Sequence, residues 1–179
     1  AYARPPISTE QVLHHDKYYA REEPQRTTVP NLSGRLGKGW TQVSSNVMGE
    51  FLIRTYLEEH LGEIQAEEAA EGWGGDRYSL LSGPEGERAL VSLIKWDSFA
   101  ESAEFFDSYQ VFAGIKLQED GGSSEEVGQS GRKWIFPERT VFLGQLGPVV
   151  TLIVGDSEDL VGTVLGHLFE ALDEQANPP

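Results

Sequence analysis

Apolar residues recur at helical spacing at Ile53, Leu57, Leu61 and Ile64, which predicts a helix with one buried face. The helix is expected to open near Ser45 or Asn46, residue types whose side chains cap helix N-termini. A second helical piece places Ala66, Ala69, Ala70 and Trp73 on one side, and Gly72, Gly74 and Gly75 end it. The period then changes. Residues 77–81 and 88–96 read as strands joined by the turn-rich Ser82-Gly83-Pro84-Glu85-Gly86. Leu90, Val91, Leu93, Ile94 and Trp96 make the second strand apolar on both faces, which predicts a central position in its sheet.

Ser98-x-x-Glu101 announces another helix, with Phe99, Ala103 and Phe106 on one side and Phe105, Tyr109 and Phe112 beside them, expected to lie across the sheet. The acidic, Gly- and Ser-rich tract 119–132 predicts a mobile surface loop. Strands follow at 133–136, 140–146 and 149–154, then a last helix striped by Val161, Val164, Leu165, Leu168 and Leu172. Glu158 and Asp159 lie in its first turn, where the helix dipole favours negative charge. Ahead of all this, residues 7–46 are irregular, with Pro24, Pro30 and the β-branched run Thr27-Thr28-Val29, and predict an extended arm with one or two short strands.

The pattern therefore predicts an α+β fold: an antiparallel sheet of about four to six strands with three main helices packed on it, after an extended N-terminal arm. The expected divisions are the arm at 1–46, the α+β domain at 47–176 in the order helix, strand, strand, helix, strand, strand, helix, and a tail at 177–179. Ala1-Tyr2-Ala3-Arg4-Pro5-Pro6 reads as a helix end stopped by prolines, which suggests a boundary set by truncation or processing.

Charge narrows the function classes. Fourteen basic against 29 acidic residues give a net charge of -15, which repels phosphate backbones and anionic headgroups. Nucleic-acid partners are thereby disfavoured, and no apolar run approaches the roughly 20 residues of a spanning helix, so membrane insertion by this chain is not expected. With no cysteine, disulfides, thiol catalysis and thiolate metal sites are excluded.

The remaining chemistry is sparse. His14 and His15 are adjacent, so they point apart on a strand or lie about 100° apart on a helix, and with Asp16 they complete no site without help from a distant residue; His60 lies in Glu58-Glu59-His60 without a zincin frame, and His167 lies beside Leu165 and Leu168. Gly34-x-x-Gly37-x-Gly39 precedes Trp40-Thr41-Gln42-Val43, not a helix, which argues against a dinucleotide cradle. Glu50, Arg54 and Glu58 read as a solvent-facing charged ladder. No Gly-x-Ser-x-Gly elbow occurs. The candidates for ligand or partner contact are Trp73, Asp76, Arg77 and Trp96, where glycines let polar groups approach closely beside aromatic area. The same residues also suit a structural turn and core packing. No catalytic residue, metal site or cofactor is expected.

Pro5-Pro6-Ile7-Ser8-Thr9-Glu10-Gln11-Val12-Leu13-His14, Lys17-Tyr18, Gly49-Glu50-Phe51, Ala69-Ala70, Gly72-Trp73-Gly74-Gly75-Asp76-Arg77-Tyr78 and Trp96-Asp97 together resemble the C-terminal part of bacterial secreted or lipid-anchored, gluzincin-like zinc metallopeptidases. The resemblance implies that the His-Glu-x-x-His helix lies upstream, that no metal ligand is carried over to this chain, and that the location is extracellular or the cell envelope. The expectation is a noncatalytic accessory or interaction domain, packed against its own upstream region or another envelope protein through its sheet and arm. The alternatives are a small-ligand domain with a Trp-lined pocket or, less well supported by the residues, a stand-alone hydrolase.

Overall fold

The structure, a computed structural model, describes residues 4–177. Three short helices lead the chain: α1 (Glu10–Leu13), α2 (His15–Ala20) and α3 (Ser33–Leu36). Then come β1 (Thr41–Asn46), α4 (Gly49–Leu61), α5 (Glu63–Ala70) and the hairpin β2 (Trp73–Ser82) with β3 (Arg88–Trp96). After α6 (Phe99–Asp120) a meander of β4 (Ser123–Val127), β5 (Gly131–Ile135), β6 (Thr140–Leu146) and β7 (Val149–Gly155) ends in α7 (Glu158–Ala176).

The strands form one antiparallel sheet in the order β1-β2-β3-β7-β6-β5-β4, so the class is α+β. β3 is central, between β2 and β7, and its apolar residues serve both faces. Ile94 and Trp96 enter a core with Ile53, Leu57, Phe105, Tyr109 and Phe112 from α4 and α6. Val91 and Leu93 enter a second core with Val161, Val164 and Leu168 from α7, joined by Val29 and Leu32 of the arm. Helices thus cover both faces of the sheet.

The sheet has seven strands, where the sequence pattern predicts four to six. The unexpected strand comes from the acidic tract: β4 lies inside the expected loop, and β5, the strand expected at 133–136, begins two residues earlier within it. Backbone pairing builds this edge without apolar side chains; Glu125 faces Lys133 across the ladder at 2.7 Å. The arm departs from expectation the other way. Among the described residues β1 is its one strand, and residues 27–29 have no strand partner, because Val29 instead plugs the second core ahead of Pro30. Short helices replace the extended path at α1, where Ser8 Oγ accepts from Gln11 N–H, and at α2.

Trp73 opens a strand and does not close a helix: Gly72, at φ 77°, turns the chain after α5 and sets Trp73 opposite Trp96. Ser98 caps α6 and Ser157 caps α7, each hydroxyl accepting from the N–H three residues on, at 3.2 Å. The expected break at the first prolines falls partly on residues 1–3, and the tail's Pro178 and Pro179 follow residue 177; both lie outside the described residues.

Candidate functional site

β1 covers β2 only from Tyr78 onward, its last pair being Asn46 with Tyr78. Four residues upstream the arm takes over the same edge: Gln25 N–H donates to the Gly74 carbonyl at 2.6 Å. A Cβ on Gly75 would overlap the Gln25 carbonyl oxygen, so only glycine lets the arm lie this close. Between the two coverings the edge of β2 is open, and a cleft of about 650 Å³ forms there. Ile7, Pro24 and Arg26 of the arm line one side. Met48, ahead of α4, and Trp73, Asp76 and Arg77 of β2 line the other.

Asp76 holds this junction. Its carboxylate accepts from Met48 N–H at 2.9 Å, Gly49 N–H at 2.8 Å and Trp73 Nε1–H at 3.1 Å. The first turn of α4, whose own cap residue Met48 has no side-chain acceptor, is therefore capped from β2. Neither Ser45 nor Asn46 does this: both belong to β1, and Asn46 Oδ1 accepts instead from Val47 N–H at 2.9 Å. Burial raises the Asp76 pKa, opposed by these donors.

Two charged contacts beside the cleft dock the arm. Lys17 Nζ pairs with buried Glu10, and reaches Asp97 at 2.6 Å and Glu22 at 3.4 Å. Glu10, Glu22 and Asp97 could each turn an oxygen toward one point, but the Lys17 ammonium already supplies the positive charge there. Burial works against that charge, and the hydrogen bonds to Asp97 and Glu10 outweigh it, holding the ammonium above the usual lysine range. His14 Nε2 lies 2.7 Å from Glu50 Oε1. Glu50 is buried, its Oε2 has no partner among the described residues, and burial raises its pKa.

Three of the four residues singled out by sequence, Trp73, Asp76 and Arg77, thus meet at one cleft. Trp96 does not; it is buried in the core with its ring 4.8 Å from Phe105. The charged ladder on α4 divides: Arg54 pairs with Glu58 at 2.8 Å, whereas Glu50 turns inward to His14. Sequence reasoning misses Glu10, Lys17 and the His14–Glu50 pair, because their partners are brought together only when the arm folds back. The one signal available is that His14 needed help from a distant residue.

The comparisons bear on this architecture. The sequence profile of a domain of unknown function, DUF8575, matches residues 35–165, most of the chain. The chain belongs to the DUF8575 family. The family match spans the whole sheet and ends within α7, while the arm residues that line the cleft precede it. No curated protein matches the chain. Among solved structures, the extracellular domain of PknH from Mycobacterium tuberculosis is similar at 8% identity and a TM-score of 0.46, over 80% of this chain and 89% of that one.

Proposed function

We propose that this chain is a noncatalytic interaction domain of an extracellular or cell-envelope protein, docking a protein partner through the outer face of α4 and the adjoining arm. The observation that carries it is an apolar pair on α4: Phe51 and Leu52 are 50% and 52% exposed on a helix whose other face is core. Val47 before the helix and Val12 on α1, which packs against α4, are exposed as well. Both faces of the sheet are covered by helices, so the docking surface is this helix and not the sheet.

Glu59 and Glu63 stand exposed nearby, and the chain carries -15 overall. The complementary partner presents basic residues around apolar anchors, as the upstream metallopeptidase-like region or another envelope protein could; a second acidic copy is repelled. The histidine and carboxylates around the arm are engaged in holding it, which supports a binding role over a catalytic one.

Native mass spectrometry of the protein from its source, wild type against Phe51→Ser/Leu52→Ser, tests this. A defined complex that the folded variant loses supports the reading, and zinc in the partner supports a metallopeptidase-like precursor. Wild-type protein that is alone under the same conditions overturns it. A second reading, small-ligand binding, is favoured by the cleft at Trp73, Asp76 and Arg77.

A further inference from the structure

The geometry points to a small-anion site in the cleft, with Arg26 and Arg77 binding a carboxylate or phosphate whose apolar part lies against Ile7, Pro24 and Met48. The inference rests on the small-ligand reading of that cleft and adds the ligand's class. Its first support is a reversal of charge. In a chain of net charge -15, the cleft is lined by two arginines, one from the arm and one from β2, and by a single carboxylate.

That carboxylate forms no ion pair with either of them. Asp76 is buried and already holds the Met48, Gly49 and Trp73 N–H groups. Among the described residues neither Arg26 nor Arg77 has a carboxylate oxygen within 4.0 Å, as is also true of Arg4, Arg21, Arg88 and Arg132, while Arg35, Arg54 and Arg139 each have one. What sets the cleft apart is that two such guanidiniums line it beside one carboxylate that is already engaged. A guanidinium fork matches the two oxygens of a carboxylate or the edge of a phosphate.

The second support is fixed geometry. The Gln25–Gly74 hydrogen bond and the bare Cα of Gly75 hold the arm next to Arg26 against β2 next to Arg77. Ser8 and Thr28 also line the cleft, with hydroxyls able to donate to anion oxygens. About 650 Å³ is within the range of small-molecule sites, roughly 300–1,000 Å³. The uncovered stretch of β2 is short, so the ligand is a small molecule and not an added strand.

The test is amide NMR titration of the folded chain with inorganic phosphate, with N-acetyl-leucine, and with its uncharged analogue N-acetyl-leucinamide. The expected result is saturable shifts at Gly75, Arg77 and Thr27 with phosphate, N-acetyl-leucine or both, and none with the amide. The stronger of the two anions identifies the headgroup. Arg26→Gln and Arg77→Gln, confirmed as folded by the same spectra, should each weaken binding about tenfold, the loss of one charge-assisted contact. If the amide binds as well as the acid, the small-ligand reading stands and the anion inference falls. If none of the three binds, both fall. Shifts that persist unchanged in the double variant also overturn the arginine assignment.

Discussion

Asp76 closes the N-terminal end of α4 from a different element, and a carboxylate with three N–H donors in a buried setting is a stronger cap than a surface hydroxyl. Replacing it by Asn sets an NH₂ group against those donors and removes the charge that complements the helix dipole. Asp76→Asn should cost about 2–3 kcal/mol. Ser157→Ala, which removes the cap of α7, should cost about 1 kcal/mol. Urea unfolding of the two variants side by side checks the order; equal losses would place the Asp76 contribution at the level of an ordinary cap. A close approach at this position was legible from the glycines before it, but the expected turn is a strand: Asp76 lies within β2, paired with Ile94. Which backbone it would approach was not legible, because Met48 and Gly49 lie 27 to 28 positions away.

Among the elements, the arm contains most of what the periodicity did not show. It is held by the Glu10–Lys17–Asp97 contacts, the His14–Glu50 pair and the Gln25 strap, each joining the arm to a distant segment. Removing only the cation leaves Glu10 buried without its partner, a situation that costs about 3–5 kcal/mol in buried pairs. Lys17→Met should therefore destabilise strongly and speed tryptic cleavage at Arg21, while adding Glu10→Gln should restore much of the loss. A double variant no more stable than Lys17→Met alone would show that the pair does not hold the arm. The helices and strands of the main domain, by contrast, follow their own patterns closely. β3 reads as central because Val91 and Leu93 alternate with Ile94 and Trp96 toward two cores. The acidic edge strand β4 escaped notice because a backbone ladder at a sheet edge needs no apolar side chains.

For the whole molecule, the carboxylates link stability to pH. Glu50 and Asp76 both have pKa values raised by burial, so the folded state binds protons that the unfolded chain has already released. Where the native state holds more protons, stability falls as pH rises. Their contribution is therefore present below the ordinary carboxylate range and is lost as pH climbs through the raised values; the net charge of -15 acts in the same direction by self-repulsion. The melting temperature should rise as pH is lowered from neutral toward the carboxylate range, measured by calorimetry at fixed ionic strength, and fall less steeply with pH in Glu50→Gln. A melting temperature that rises with pH would contradict the assignment. The sheet edges fit the same acidic character: β4 carries Glu125 and Glu126, and β1 is broken by a bulge between Gln42 and Ser44, both of which discourage edge pairing. The sequence by itself determined the class, the helices and all strands but β4 of the main domain and the acidic surface, since period, turn residues and charge are local properties. Only the tertiary structure decided the path of the arm, the cap on α4, the burial of Trp96 away from the cleft and the arrival of Arg26 and Arg77 at one cleft. Those depend on which distant backbone and side-chain groups meet when the arm folds against the edge of β2.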